Sequence, residues 1–127
     1  MPKTILVADD EPGFRDLFPY LLEPMGFEVT CVKDGVEAVE TIQQKSFDLI
    51  LMDIHMPRMG GLEALKKIKA IRPGQKVIIC SSSSDPSYAR EKEALESGAF
   101  GCLLKPVEMT EFEQALKKAL NEKGRSL

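Results

Sequence analysis

The chain has 127 residues and a net charge of −3, from 17 basic and 20 acidic side chains. A chain of this length is expected to form one domain, residues 1–127, that buries roughly two-thirds of the surface its unfolded form exposes. The slight acidity predicts no direct contact with nucleic acid. No apolar run approaches the ~18 residues that a membrane span needs, so no membrane segment is predicted either.

The cysteines indicate where such a chain works. Cys31, Cys80 and Cys102 lie in apolar runs and lack the spacing of metal ligands. We expect all three to be reduced residues of the core. Since thiols stay reduced in the cytosol and the amino terminus has no signal-peptide pattern, a cytoplasmic location is predicted.

Five β-like runs alternate with five helical patterns along the chain. The runs are Thr4–Ala8, Phe27–Val32, Phe47–Met52, Lys76–Cys80 and Phe100–Leu104. The first, third and fourth are almost continuous in Val, Ile and Leu, as in strands buried on both faces. Strict alternation with short connections predicts a doubly wound α/β fold, in which a parallel five-stranded sheet lies between two layers of helices.

Apolar residues between the runs recur at helical spacing. They include Phe14, Leu17, Phe18, Leu21, Leu22 and Met25, then Val36, Val39 and Ile42, then Leu62, Leu65 and Ile68, and finally Phe112, Ala115, Leu116, Ala119 and Leu120. Pro12 suits the first turn of a helix, whereas Pro19 predicts a kink and Pro24 an early helix end. The thin apolar stripe of Pro86–Ser97 predicts either a loosely anchored moving part or a marginal, solvent-facing helix.

Charged residues stand just past the ends of three of the β-like runs. Asp9 and Asp10 follow the first run, Asp53 the third and Lys105 the fifth. Parallel strands would bring them to the carboxyl edge of the sheet, where open α/β sheets bind ligands. Crowded carboxylates raise each other's pKa unless a cation lies among them. The pattern therefore predicts a Mg²⁺ site beside a lysine, and phosphate chemistry.

Asp53 is the candidate nucleophile at this edge. A carboxylate can attack phosphorus and form an aspartyl-phosphate, while a metal ion and a lysine such as Lys105 neutralise the oxygens of the transferred group. Mg²⁺ takes one or two carboxylates and keeps several waters, which leaves a position for a phosphate oxygen. Ser81 follows the fourth run and can donate a hydrogen bond to another phosphate oxygen.

With these motifs the chain resembles a response-regulator receiver domain, the phosphoacceptor half of a two-component signalling pair, over nearly its whole length. The matching elements, in family order, are Asp9-Asp10, Met52-Asp53, Met56-Pro57, Gly61-Leu62-Glu63, Ser81, Gly98-Ala99 and Lys105-Pro106. The resemblance implies a flavodoxin-like, chemotaxis-receiver-like sheet with strand order 2-1-3-4-5. It also implies a cis peptide bond between Lys105 and Pro106.

The resemblance assigns the metal ligands and the phosphoacceptor. Asp53 would accept a phosphoryl group from a histidine kinase, a phosphotransfer protein or a small acyl phosphate. Asp10, Asp53 and the backbone carbonyl of His55 would bind Mg²⁺, with Asp9 helping directly or through water. Such a domain catalyses its own phosphorylation and slow dephosphorylation, and multiple turnover on an external substrate is not expected.

The resemblance also assigns the response to phosphorylation. Lys105 would pair with the phosphoryl group, and Ser81 would swing toward it. The partner-binding face would be helix 4, strand 5 and helix 5, within Pro86–Ser97, Phe100–Leu104 and Thr110–Glu122. Its partner would be a downstream protein or an output domain of a longer regulator, and the sequence leaves both possibilities open.

Two other functions stay open at this point. The family usually has Tyr or Phe where this chain has Cys102, which would suit a phosphate-independent pseudo-receiver that acts as a protein-binding module. The retained Asp53 and Lys105 argue against that reading. A phosphohydrolase with an aspartate nucleophile would need a second acid two residues after Asp53 to protonate the leaving group. The chain has His55 there.

Overall fold

The computed structural model describes residues 3–82, 88–105 and 107–121 of the chain. In these ranges the strands are Thr4–Ala8 (β1), Glu28–Val32 (β2), Leu49–Asp53 (β3), Val77–Ser82 (β4) and Gly101–Lys105 (β5). The α-helices are Pro12–Leu22 (α1), Gly35–Gln44 (α2), Gly61–Ile71 (α3), Tyr88–Glu96 (α4) and Met109–Asn121 (α5). The predicted cis peptide at Pro106 falls outside these ranges.

The five strands form one sheet in the order β2-β1-β3-β4-β5, and every neighbouring pair is parallel. The predicted doubly wound α/β fold and its strand order are therefore confirmed. In this order β3 lies between β1 and β4, with Ala8 opposite Met52 and Asp53 opposite Cys80. The ends of β1, β3 and β4 thus lie side by side.

Both faces of the sheet are covered by helices. Successive residues of a strand point to opposite faces, and the core accordingly forms two clusters. One contains Leu6, Ile50 and Ile79 from the strands together with residues of α2, α3 and α4. The other contains Ile5, Val7, Leu49 and Leu51 together with residues of α1 and α5. All residues of β3 are buried, which explains its continuous apolar run.

Pro12 lies at the beginning of α1, and Pro24 lies two residues beyond its end. Pro12 is in its first turn, as predicted, and the missing backbone N–H costs nothing there. The helix ends at Leu22, and Glu23–Met25 continues as a 3₁₀ turn closed by Gly26 at φ 95°. The early helix end predicted from Pro24 is confirmed, because the α-helix stops two residues before this proline. The left-handed Gly26 then turns the chain toward β2.

Two expectations need correction. Asp53 and Lys105 are the last residues of β3 and β5 rather than the first residues beyond them, because both pair with a neighbouring strand. Cys31 is exposed rather than a core residue, since it lies on β2 at the edge of the sheet. Cys80 is buried and Cys102 half-buried, and all three thiols are free.

In the described part of the chain, no helix combines the length and apolar character of a bilayer span.

Candidate functional site

An acidic cluster lies at the carboxyl edge of the sheet. Asp9 and Asp10 follow β1, and Asp53 ends the adjacent β3. One carboxylate oxygen from each of the three residues lies within 4.8 Å of the others. Asp9 and Asp53 are only 2% and 7% exposed, whereas Asp10 is open to solvent. The cluster therefore combines two buried carboxylates with one at the surface.

The buried ammonium of Lys105 lies among these carboxylates. Its Nζ donates to Asp9 Oδ2 at 2.7 Å and to Asp53 Oδ2 at 3.1 Å. A longer contact of 3.5 Å reaches Glu11 Oε1, and the same ammonium lies 4.1 Å from the centroid of the Phe14 ring. Three carboxylates and an aromatic face thus surround one cation, an arrangement that favours its charged form.

The pKa values of Lys105 and Asp53 both rise. Burial lowers the pKa of Lys105, but the hydrogen bond to Asp9 and the charge of Asp53 outweigh it. Burial raises the pKa of Asp53, and the nearby Asp9 carboxylate raises it further. The charge of Lys105 lowers the pKa of Asp53 but does not compensate fully for these two effects. The single ammonium is shared between two buried carboxylates. A further cation would therefore be stabilised at this site.

Backbone N–H groups and the Arg15 side chain hold Asp9 and its loop in place. The backbone N–H of Glu11 donates to Asp9 Oδ1 at 2.9 Å, and Arg15 Nη1 donates to the Asp9 carbonyl oxygen at 3.0 Å. The Asp9 N–H itself continues the ladder to the Val32 carbonyl at 3.1 Å. The Asp9 carboxylate is thus positioned from the sheet and from α1.

The loop between β3 and α3 carries His55 and begins at Asp53. The Ile54 N–H donates to the Cys80 carbonyl at 2.9 Å, and the His55 N–H donates to Asp53 Oδ1 at 3.3 Å. At the other end of the loop, the Gly61 N–H donates to the Ile54 carbonyl at 2.8 Å. A Cβ at Gly61 would overlap the Asp53 carbonyl oxygen, so only glycine fits there.

This loop and Asp10 surround an open depression. The depression has a volume of about 400 Å³ and is lined by Asp10, Ile54, His55, Met56, Pro57 and Gly60. The His55 side chain is exposed at its rim. A small ligand can therefore approach the acidic cluster from solvent on the side of Asp10.

Ser81 lies near the acidic cluster but contributes to another cavity. It follows Cys80, the register partner of Asp53, and is itself opposite Leu104 of β5. The buried Ser81 lines a cavity of about 420 Å³ between β5 and the helices α4 and α5, together with Cys102. Ser81 therefore lies between the acidic cluster and the α4–β5–α5 surface.

Glu11 and Phe14 were not identified from the sequence. Glu11 follows the acidic pair directly in the sequence, and Phe14 belongs to the first series of apolar residues at helical spacing. The structure shows that both contact the Lys105 ammonium. Their position one turn or less beyond Asp10 is the signal that could have indicated them.

The chain is similar to known proteins over nearly its whole length. The family model of the response regulator receiver domain matches residues 5–117. The chemotaxis protein CheY of Bacillus subtilis (strain 168) is 36% identical over 122 residues, which cover 95% of this chain and all of CheY. The transcriptional regulatory protein ZraR of Klebsiella oxytoca is 38% identical over 116 residues, 91% of this chain.

The chain spans only about a quarter of ZraR, since the matched part is 26% of that regulator. Among solved structures, a CheY-like receiver domain protein from Methanospirillum hungatei JF-1 superposes with a TM-score of 0.90 at 31% identity, covering both chains completely. The receiver domain of the sensor histidine kinase PA1611 from Pseudomonas aeruginosa PAO1, described with a magnesium ion in its active site cleft, gives 0.81 at 27% identity, covering 95% and 99% of the two chains. This chain belongs to the response regulator receiver domain family.

Proposed function

We propose that the chain is a phosphoacceptor switch of a two-component system, in which Asp53 receives a phosphoryl group in a Mg²⁺-dependent reaction. The donor is a histidine kinase, a phosphotransfer protein or a small acyl phosphate. The observation that carries the proposal is the shared ammonium of Lys105, within 3.1 Å of both Asp9 and Asp53 at the open end of β3. This arrangement provides a nucleophile and a cation for the incoming phosphoryl group.

The acidic cluster fits a magnesium ion. Mg²⁺ prefers carboxylate and carbonyl oxygens and keeps several waters, and one oxygen of each of Asp9, Asp10 and Asp53 lies within 4.8 Å of the others. Asp9 already accepts from Lys105 and from the Glu11 N–H. We therefore assign Asp10, Asp53 and the His55 carbonyl as ligands, with Asp9 acting through water or directly. The ion would neutralise charge on the phosphoryl oxygens.

In the proposed reaction an oxygen of Asp53 attacks the donor's phosphorus. The new O–P bond forms as the donor's P–N or P–O bond breaks, and the leaving group departs with the bonding pair. Lys105 lies close enough to Asp53 to contact an equatorial oxygen of the transferred group. Hydrolysis of the aspartyl-phosphate by water then returns Asp53 to its free form.

The output of the switch is proposed to be the surface of α4, β5 and α5. Leu95, Phe100 and Leu104 stay exposed on this side of the molecule, although all three are apolar. Ser81 lines the cavity beneath this surface and could transmit a change at Asp53 to it. Phosphorylation must favour the active form by several kcal/mol to make it the dominant one. A change in its population from about 1% to about 99% takes about 5.5 kcal/mol.

Incubation with Mg²⁺ and acetyl phosphate, followed by intact-mass measurement, tests the first step. The wild type should gain one phosphoryl group, and Asp53→Asn should gain none. Asp16→Asn, which removes an exposed acid of α1, is the matched control and should be phosphorylated like the wild type. An unmodified wild type, or an equal adduct on Asp53→Asn, would overturn the proposal.

A phosphate-independent binding module is the second candidate. The observation that favours it is Cys102, a small, half-buried residue on the wall of the cavity that Ser81 lines. The family usually has a Tyr or Phe ring at this position. Calorimetric titration with Mg²⁺ separates the two candidates. Heat of binding that depends on Asp53 supports the switch, and its absence supports the binding module.

A further inference from the structure

We infer that Arg58 is a positioning residue for the metal site. Its ion pair with Asp34 holds the loop between β3 and α3 against the start of α2, and the loop thereby presents the His55 carbonyl to Mg²⁺. This inference deepens the proposed function and rests on it, because it concerns the ion that the phosphoacceptor reaction would use.

The ion pair has two hydrogen bonds and one buried partner. Arg58 Nε lies 2.8 Å from Asp34 Oδ2, and Arg58 Nη2 lies 3.3 Å from Asp34 Oδ1. Asp34 is 2% exposed, whereas Arg58 lies at the surface. Two parallel bonds from one guanidinium fix orientation as well as distance. The pair therefore constrains where the loop lies.

Asp34 is itself held firmly. Its Oδ1 accepts the Glu37 N–H at 2.9 Å, which makes it the N-cap of α2. Helix α2 packs with α3 in the core through Ala38, Val39 and Ile42. Arg58 is thus tied to a rigid element, so the loop takes its position from α2.

The backbone of Arg58 shows that the loop is held in an unfavourable shape. Its φ is 66°, and within the described residues it is the one non-glycine residue with a positive φ. Residues with side chains rarely adopt this left-handed region unless surrounding contacts hold them there. The bond pair to Asp34 is such a contact.

A second contact joins the loop to α2 next to the ion pair. The Gly35 N–H donates to the Met59 carbonyl at 3.1 Å, and a Cβ at Gly35 would overlap that oxygen. Glycine at this position allows the two backbones to approach closely. The loop is therefore fixed on both sides of His55. On one side the backbone N–H groups of Ile54 and His55 are hydrogen-bonded, and on the other side Arg58 and Met59 contact the start of α2.

The sign of the effect on Mg²⁺ affinity distinguishes positioning from simple electrostatics. The guanidinium is a positive charge that lines a second surface depression, which shares Asp10 and Pro57 with the one beside His55. If it acted only through its charge, its removal would strengthen binding of a divalent cation. If it positions the loop, its removal weakens binding because the carbonyl ligand is less well placed. The two roles predict opposite changes for variants of Arg58, whereas both predict weaker binding for variants of Asp34, so the sign is read from Arg58.

The experiment is a double-mutant cycle on the full chain, with Mg²⁺ affinity measured by calorimetric titration. Arg58→Asn removes the cation of the pair, and Asn tolerates the positive φ at this position. Asp34→Asn removes the negative charge of the pair and one of its two acceptor oxygens, and Asn caps a helix about as well as Asp does. Lys66→Gln removes the cation of the exposed pair with Glu93 and is the matched control.

Each single variant should bind Mg²⁺ more weakly, by about tenfold. The double variant should bind no more weakly than either single variant, since both remove the same contact. Lys66→Gln should bind like the wild type. If Arg58→Asn binds Mg²⁺ as tightly as the wild type or more tightly, the inference is overturned.

Two further measurements keep the outcome decisive. Arg58→Gly relieves the backbone strain while losing the ion pair, so it should keep its thermal stability and still bind Mg²⁺ more weakly. Loss of stability without any loss of Mg²⁺ affinity would show a structural role only and would overturn the inference. A wild type that does not bind Mg²⁺ would instead overturn the proposed function.

Discussion

The ammonium of Lys105 lies 2.7 Å from a carboxylate oxygen of Asp9, although the two residues are 96 positions apart in the chain. Lys105 ends β5 and Asp9 directly follows β1, and these two strands are separated in the sheet by β3 and β4. The lysine side chain therefore extends across the edge of the sheet and ties its two sides together. This contact has consequences for stability as well as for chemistry.

Replacing Lys105 with Met should destabilise the protein. The change keeps an unbranched side chain but leaves the buried carboxylates of Asp9 and Asp53 facing each other without a cation. We expect the free energy of unfolding at pH 7 to fall by about 3 kcal/mol, as measured by urea unfolding. Added Mg²⁺ should restore more stability to the variant than it gives to the wild type, because no ammonium competes for the carboxylates.

Lys117→Met, at an exposed position of α5, is the matched control and should change the unfolding free energy by less than about 0.5 kcal/mol. Equal stability of Lys105→Met and the wild type would show that the buried carboxylates do not need the ammonium.

Asp53→Asn should gain stability relative to the wild type as the pH rises. The pKa of Asp53 is raised above its ordinary 3.8, chiefly by burial, so the folded protein holds this proton more tightly than the unfolded chain does. The contribution of Asp53 to stability is therefore full below pH 3.8 and is lost as the pH rises through its folded pKa. Asn does not titrate and loses nothing over this range.

Urea unfolding from pH 3 to pH 7 without Mg²⁺ measures this difference, with Asp16→Asn as the control. The unfolding free energy of Asp53→Asn minus that of the wild type should increase with pH. A difference that stays constant or decreases would contradict the raised pKa.

Two glycine substitutions should change stability in opposite directions. A Cβ at Gly61 would overlap the Asp53 carbonyl oxygen, whereas a Cβ at Gly13 would meet nothing within 4 Å. Gly61→Ala should therefore lower the free energy of unfolding by about 2 kcal/mol. Gly13 lies in α1, where Ala is favoured, so Gly13→Ala should raise it by about 0.5 kcal/mol. Thermal unfolding of both variants tests the pair, and a stable Gly61→Ala protein would contradict the close approach.

The three thiols should react with iodoacetamide at different rates. Burial raises the pKa of all three thiols, to about 12 for Cys80 and about 11 for Cys102, but only Cys31 is exposed to the reagent. Because the thiolate is the reactive form, alkylation should occur first at Cys31 in the native protein and at Cys80 only on unfolding. Peptide mass mapping after timed alkylation checks the order. Early modification of Cys80 would be inconsistent with its burial.

The elements that the sequence predicted best are those with the strongest apolar patterns. The run that became β3 was almost wholly apolar, and its burial on both faces explains why. Strand ends were less accurate. Asp53 and Lys105 look like loop residues because they are charged, yet backbone pairing with β4 includes both in strands.

Contacts between distant residues account for what the sequence did not predict. Arg58 and Asp34 are 24 residues apart, and neither belongs to a motif that indicates an ion pair. The positive φ of Arg58 is equally hidden, since arginine gives no sign of a left-handed turn. The apolar run around Cys31 indicates a core residue, although the strand order 2-1-3-4-5 that the resemblance implies already places this strand at the edge of the sheet.

The reach of Lys105 across the sheet also bears on how the chain matures. β5 adds to the sheet beyond β4, at the opposite side from β2. Until that last strand docks, Asp9 and Asp53 form a pair of mutually repelling anions with no lysine between them. A truncated chain that ends before residue 105 would thus lack the ammonium that pairs with Asp9 and Asp53. Completion of the sheet at β5 therefore also supplies the cation that the two buried carboxylates require.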